Sequence, residues 1–197
     1  MNMKTTTFER DHDAPAKTSS DWLIAYYFIR AAVSFIWVGA ALTVGAVIPI
    51  AAAVLIIFYP AWDAAANLLD AYRNGGARRN PSQLINAVIS LVATLAFAVA
   101  MASGFNAVLG VFGAWAVVSG LLQLATAVRR WKAYGAQWLM ILSGAQSALA
   151  GGFFIKQAAA TNLHGIADIV PYVAFGAFYF LVSALWLVVS QARRRKV

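Results

Sequence analysis

Six long hydrophobic stretches, joined by connections that are alternately basic and nearly uncharged, constrain the fold of this chain more than any other feature. The cationic side chains cluster in every second connection and after the last stretch. The clusters are Arg73, Arg78 and Arg79, then Arg129, Arg130 and Lys132, then Arg193, Arg194, Arg195 and Lys196. Short loops rich in Lys and Arg stay in the cytoplasm. The pattern therefore predicts six membrane-spanning helices with both termini in the cytoplasm.

Each stretch is close to the roughly 20 residues that a helix needs to cross the hydrocarbon. The predicted helices cover about 22–44, 49–72, 82–103, 106–128, 134–155 and 168–191, which together make one transmembrane domain over 22–191. Residues 1–21 are polar and of mixed charge, which predicts a mobile cytoplasmic tail. Residues 192–197 form a basic cytoplasmic tail. The predicted fold class is an all-α, polytopic helical bundle.

The composition supports a membrane protein rather than a soluble one. Hydrophobic residues make up 62% of the chain and charged residues 11%, against roughly 25% charged in soluble domains. A pI near 10.1 would suggest nucleic acid as the partner of a soluble chain. Here all cations except Arg30 and Lys156 lie in segments predicted to be cytoplasmic, where they orient the helices and face anionic lipid heads. The predicted partner is the bilayer, with no nucleic acid.

The chain contains an internal repeat. Short motifs recur in the fourth and sixth helices: Phe-Gly-Ala at 112–114 and 175–177, Val-Ser at 118–119 and 182–183, and Arg-Arg at 129–130 and 193–194. The repeated unit is a helical hairpin whose basic end faces the cytoplasm, present three times in the same orientation. Such parallel repeats differ from the inverted repeats of many transporters, which makes a transporter the less favoured interpretation.

One segment resembles a known family. The sequences VLGVFGAWAVVSGLLQL at 108–124, VRRW at 128–131 and WLMILSGAQSALAGG at 138–152 resemble the HdeD-like acid-resistance membrane proteins, which are built from short hydrophobic repeats. The resemblance covers about 86–152 and extends more loosely to the flanking hairpins. It implies a multi-pass protein of the bacterial inner membrane that is linked to acid stress. No catalytic or ligand residue is carried over.

A cluster of polar residues is expected inside the membrane: Arg30, Asp63, Asn67 and Asp70. An ionisable group in a membrane span costs at least about 2.5–3.5 kcal/mol, so such groups are usually paired or functional. Asp63, Asn67 and Asp70 follow helical spacing and share one face of the second helix. Two interpretations stay open: a pocket that responds to protons or ions, and a buried Arg30–Asp63 pair that docks the first helix on the second. For Asp70, solvation at the interface is a sufficient explanation.

Two further polar faces are predicted. Counting back from the basic clusters, positions in the fourth helix match Asp63, Asn67 and Asp70, and three more polar residues share a face of the fifth helix. These residues are Ser119, Gln123 and Thr126 in the fourth helix, and Ser143, Gln146 and Ser147 in the fifth. They could line a central axis, or they could knit helices together by hydrogen bonds worth about 0.6 kcal/mol each. We favour the second interpretation. The small residues Gly144, Ala148 and Gly152 predict a close-packing stripe, either at an oligomer contact or, as we favour, inside the bundle.

The sequence offers no signature of catalysis. Cysteine is absent, which excludes disulfides and thiolate metal sites. The two histidines, His12 and His164, are predicted on opposite sides of the membrane and cannot share a metal. His164 lies with Asp168 in an outside loop and is interpreted as solvated surface. We therefore expect no enzyme activity, no cofactor and no metal.

Two functions are compatible with these features. The first is a non-enzymatic inner-membrane protein of the HdeD-like type that acts in acid or envelope stress or in the assembly of a membrane complex, with a membrane-protein partner or a second copy of itself. The alternative is a pathway for protons or a small solute through the polar faces around Arg30, Asp63 and Asn67. The outer halves of the first two helices are apolar apart from Thr43, which argues against a pathway.

Overall fold

A computed structural model of the chain describes residues 14–132, 137–161 and 164–194. Within these ranges the chain forms six long helices and no strand. They are α1 (Ala14–Leu42), α2 (Pro49–Arg73), α3 (Pro81–Ala100), α4 (Phe105–Arg130), α5 (Gln137–Ala158) and α6 (Val170–Arg194). Each belongs to a segment that is long and apolar enough to cross a membrane. The predicted all-α, six-span architecture is confirmed.

The helix boundaries follow local chemistry. Proline occupies the first position of α2 and of α3, where its missing N–H leaves no hydrogen bond unmade. α1 begins at Ala14, so it includes residues 14–21 of the segment predicted to be a tail. The predicted sites that fall outside the described residues are His12, Arg195, Lys196 and the start of the fifth helix at 134.

The six helices form a closed ring. Each helix contacts the next one along the chain, and α6 returns to contact α1. α4 and α5 have the most extensive contact, followed by α1 with α6 and α2 with α3. The contacts between α1 and α2 and between α5 and α6 are sparse. In all three repeated hairpins, the two helices therefore make less contact with each other than with their outer neighbours.

Glycine explains the close contact of α4 with α5. Gly113 faces Gly151, and Gly120 faces Gly144, so the pairs recur after about two helical turns. A Cβ added at Gly120 would lie 2.7 Å from the carbonyl oxygen of Gly144, and one added at Gly151 would lie 2.5 Å from that of Gly113. Absence of side chains lets the two backbones approach this closely. We call these four glycines the glycine seam.

The predicted stripe on α5 is correct only in part. Gly144 lies in the glycine seam, but a Cβ at Gly152 would meet nothing within 4 Å. Gly152 is exposed and its neighbour Gly151 is buried. The seam follows the heptad-like spacing of antiparallel helices, seven residues from Gly144 to Gly151, rather than the strict spacing of four that the sequence suggested.

The outer surface of the bundle is apolar, as expected for a protein surrounded by lipid. Large apolar side chains such as Ile36, Leu95 and Leu149 are exposed on the outside of the ring, where hydrocarbon would cover them. Two apolar clusters form inside the ring. One surrounds Phe112 and includes Phe154, and the other includes Leu139. The connections α2–α3 and α4–α5 lie at the end of the bundle that we call the basic end, and the other three connections lie at the opposite end.

Candidate functional site

The ring encloses a cavity of about 380 Å³ that all six helices line. The lining runs from Asp70 and Arg130 near the basic end to Gln157 and Asp168 at the opposite end. All ten residues predicted from the sequence as intramembrane polar sites line this cavity. They are Arg30, Asp63, Asn67, Asp70, Ser119, Gln123, Thr126, Ser143, Gln146 and Ser147. The helical ring therefore brings polar faces that are far apart in the chain to one space.

Arg30 of α1 forms an ion pair with Asp63 of α2. One terminal nitrogen of the guanidinium donates to Asp63, and the other, Nη1, donates to the hydroxyl of Tyr26 over 3.0 Å. The guanidinium carbon also lies 4.4 Å from the centre of the Phe180 ring on α6, within the range of a cation–π contact. The predicted Arg30–Asp63 contact is present, and it extends to α6.

The second oxygen of Asp63, Oδ2, accepts three further hydrogen bonds. The donors are Asn67 Nδ2 at 3.0 Å, Asn86 Nδ2 at 3.0 Å and Ser90 Oγ at 2.8 Å. Trp115 of α4 in turn donates its Nε1 to Ser90 Oγ over 2.9 Å. The carboxylate thus connects α1, α2, α3 and, through Ser90, α4. Such a fully matched acceptor is stabilised inside a membrane.

Asp70 forms the second buried ion pair among the described residues. Its Oδ2 lies 2.9 Å from Arg130 Nη2 of α4. Its other oxygen accepts from Asn74 Nδ2 at 2.6 Å and from Trp22 Nε1 at 3.4 Å. The residue is only 2% exposed, so its interpretation as a carboxylate solvated at the interface is wrong. Burial of Asp70 depends on a partner that is 60 residues distant in the chain.

The polar residues of α4 and α5 were predicted either to line a central space or to hold helices together by hydrogen bonds, and they do both. Gln123 Nε2 donates to the carbonyl of Met140, and Ser147 Oγ donates to the carbonyl of Ala116, so these side chains join α4 to α5. Ser147 is also 2.6 Å from the hydroxyl of Tyr172 on α6. These residues knit the helices together and line the cavity at the same time.

The cavity reaches the protein surface between α5 and α6. Phe153, Pro171 and Phe175 line it and are exposed. A hydrogen bond from Tyr179 to Gln146, 2.7 Å long, crosses the interval between the two helices. α5 and α6 make few other contacts, so this wall of the cavity is loosely packed. The surface opening lies toward the opposite end of the bundle.

His164 is not solvated surface. Its side chain is 6% exposed, and its Nδ1 lies 3.3 Å from Asp168, which lines the cavity. The prediction of a solvated His164 is therefore wrong, because its ring packs between Asp168 and the end of α5, where Nε2 lies 3.2 Å from the carbonyl oxygen of Gln157. Among the described residues no group of three or more His, Cys, Asp or Glu side chains is placed to hold a metal ion.

Several residues of this polar network were not singled out from the sequence as candidate site residues. Gln83, Asn86 and Ser90 give α3 a polar face, and Arg130 was assigned only to membrane orientation. The signal for α3 was present, since these three residues follow helical spacing on one face. For Arg130 the sequence holds no such signal, because it belongs to a basic cluster at a helix end.

Comparison with known proteins gives a family match for the middle of the chain. Residues 85–156 match the model of a family described as a short repeat of unknown function (DUF308), the family to which the HdeD-like proteins belong. The match covers α4 completely and most of α3 and α5, the helices that supply Asn86, Trp115 and Ser147 to the cavity. No curated protein matches the chain, and no solved structure matches it. The chain is thus similar, over its central helices, to a repeat family whose function is unknown.

Proposed function

We propose that this chain is a non-enzymatic, multi-pass protein of the bacterial inner membrane that takes a small polar solute into its central cavity. One observation carries the proposal: polar side chains from all six helices line a single cavity of about 380 Å³. Small-molecule sites have volumes of about 300–1,000 Å³, so the cavity suits a small ligand. Intramembrane polar groups commonly mark pathways for solutes or ions.

The outer halves of α1 and α2 are apolar apart from Thr43, and by themselves they could not line a pathway for a polar solute. In the ring, the cavity wall toward the opposite end is built largely by α5 and α6. Polar groups are available there from Gln146, Ser147, Gln157 and Tyr172. Polar lining therefore continues past the level of Asp63, and this continuity supports the solute pathway over a purely structural polar cluster.

Filling the cavity tests this function. Ala150 of α5 lines the cavity, whereas its neighbour Leu149 is 77% exposed on the lipid side. In proteoliposomes, the wild type should admit glycerol faster than protein-free liposomes in stopped-flow light scattering, and a trapped pH dye should report any proton flux. Ala150→Phe should reduce uptake to near the protein-free rate, and Leu149→Phe should leave it unchanged. Equal rates for wild type and protein-free liposomes with both probes would exclude a pathway.

A role in acid stress is a second candidate. It rests on the resemblance to the HdeD-like acid-resistance proteins, which belong to the repeat family matched over 85–156. If the cavity serves that role through a titrating Asp63, Asp63→Asn should preserve the amount of folded protein and abolish acid survival. If Asp63 is structural, protein amount and survival should fall together, because Arg30 loses its charged partner. We expect the structural outcome. Normal abundance with lost survival would support the proton site instead.

The proposal includes an orientation and partners. We propose that the basic end faces the cytoplasm, where its cations contact anionic lipid heads. Contacts with a membrane-protein partner or a second copy would be made along the lipid-facing helices. Purification from native membranes in mild detergent, followed by mass measurement, tests this assignment. A protein that is monomeric and free of any stoichiometric partner would contradict it.

A further inference from the structure

Two side chains of α3 that line the cavity carry buried amide oxygens without a hydrogen-bond partner among the described residues. Gln83 is 3% exposed and Asn86 is 9% exposed. Both side chains line the cavity, and neither Gln83 Oε1 nor Asn86 Oδ1 has a partner among the described residues. Buried polar atoms are hydrogen-bonded in the large majority of cases. Two unpaired acceptors on one cavity wall therefore indicate that something else donates to them.

The orientation of both amides follows from chemistry. Gln83 Nε2 donates to Asp70 at 3.4 Å, and Asn86 Nδ2 donates to Asp63 at 3.0 Å. A carboxylate accepts hydrogen bonds but cannot donate them, so the NH₂ group of each amide must face it. The oxygen of each amide is then directed elsewhere. The spacing of three residues keeps both on the same face of α3.

The charges around the subsite select the kind of ligand. Arg30 is paired with Asp63 and Arg130 with Asp70, so the charges at this level of the cavity cancel. Of the charged side chains that line the cavity at this level, none is unpaired, so neither an anion nor a cation would find a free counter-charge in the lining. Either ion would add an uncompensated charge within a membrane span. A neutral ligand avoids this cost.

We infer that Gln83 and Asn86 form a hydrogen-bond-accepting subsite for a small neutral solute that carries several hydroxyl or amide N–H donors. The subsite rests on the proposed function, because it specifies which class of solute the cavity takes. Ser119 Oγ on α4 also lines the cavity and has no partner among the described residues. It gives the cavity a further unpaired polar group, on α4.

Binding to the complete chain in lipid nanodiscs tests the subsite without requiring transport. Ligand-observed saturation-transfer NMR compares two probes that carry donors, erythritol and acetamide, with two similar molecules that carry acceptors only, 1,4-dioxane and N,N-dimethylacetamide. Empty nanodiscs give the background from partitioning into lipid. The wild type should bind erythritol or acetamide and should not bind the acceptor-only molecules above background. Which of the two binds distinguishes a hydroxyl ligand from an amide ligand.

Variants locate the binding. Gln83→Met leaves Asp70 with donors from Arg130, Asn74 and Trp22, so the bundle keeps its ion pair. Asn86→Leu likewise leaves Asp63 three donors, and each variant should weaken binding about tenfold, the effect of losing one to two hydrogen bonds. Asn106→Leu is the matched control, because Asn106 donates to the carbonyl of Ala160 at the opposite end and does not line the cavity. If Asn86→Leu does not fold, Gln83→Met decides the question alone.

The outcomes separate this subsite from the proposed pathway. Equal binding of acetamide and N,N-dimethylacetamide would overturn it, as would binding that Gln83→Met leaves unchanged. No binding of any probe would mean that only water fills the subsite, and this too would overturn it. Donor-selective binding without glycerol or proton flux would leave the subsite valid and exclude the pathway. Glycerol flux without donor-selective binding would support the pathway and exclude the subsite.

Discussion

At the scale of single residues, the cavity depends on matching each carboxylate with several donors. Asp63 accepts from Arg30, Asn67, Asn86 and Ser90. Removing the Asp63 carboxylate therefore leaves Arg30 without its counter-charge and Asn86 and Ser90 without their acceptor, whereas Asn67 keeps the backbone carbonyl of residue 63. Removing Arg30 leaves a carboxylate that still has three donors. The two losses are unequal, although they break the same ion pair.

This inequality predicts the outcome of a double-mutant cycle. Arg30→Leu and Asp63→Leu should each lower the free energy of unfolding, and breaking a buried ion pair costs about 3–5 kcal/mol. Asp63→Leu should be the more destabilising of the two. The double variant should recover part of the loss but not all, because the donors of Asn86 and Ser90 remain unmatched. Thermal unfolding in detergent measures the three variants, and strictly additive losses would show that the two residues are not coupled.

At the scale of helices, close approach of backbones matters more than hydrophobic contact. Lipid chains are as apolar as leucine, so helices associate in membranes through close packing and hydrogen bonds. The glycine seam provides close packing between α4 and α5. The α5–α6 interface has no equivalent close glycine contact among the described residues, and it is the interface at which the cavity reaches the surface.

Alanine substitutions along α4 and α5 test the glycine seam. Gly120→Ala and Gly151→Ala each place a Cβ within 2.7 Å of backbone atoms of the facing helix. We expect a loss of about 1–3 kcal/mol from overpacking, seen as a lower unfolding midpoint. Gly152→Ala is the control, because its Cβ would meet nothing within 4 Å and alanine favours the helix by about 1 kcal/mol. Equal midpoints for Gly120→Ala and Gly152→Ala would contradict the seam.

At the scale of the whole molecule, the basic helix ends and the opening of the cavity lie at opposite ends of the bundle. Arg73, Arg129 and Arg130 end helices α2 and α4 at the basic end, and Phe153, Pro171 and Phe175 open the cavity toward the opposite end. If the basic end faces the cytoplasm, as the charge rule predicts, the opening faces the outer leaflet. Orientation thus determines from which side a solute reaches the cavity.

Single cysteines test the orientation, since the chain has no cysteine of its own. Thr161 is exposed in the α5–α6 connection and Arg78 is exposed in the α2–α3 connection, so each can be replaced by cysteine. A membrane-impermeant thiol reagent should label the cysteine at 161 in intact cells. The cysteine at 78 should react only after the membrane is permeabilised. Labelling of position 78 in intact cells would reverse the orientation.

By itself, the sequence was sufficient to predict the six membrane spans and the polar residues within them. Hydrophobic length and the cost of polar groups in hydrocarbon act locally along the chain, so both can be interpreted without tertiary contacts. The contact of Arg30 with Asp63 could also be predicted, because both lie at similar depth in consecutive helices. The close-packing stripe was predicted one residue away at Gly152, since spacing alone does not show which face meets the neighbouring helix.

Only the tertiary structure decided how these elements combine. Closing the ring brings α6 against α1 and places polar residues of all six helices around one cavity. It also pairs Asp70 with Arg130, folds His164 inward beside Asp168, and leaves the amide oxygens of Gln83 and Asn86 unpaired. Each of these depends on which helices become neighbours. That choice is made by packing at the glycine seam and by long-range hydrogen bonds, which no local pattern in the chain specifies.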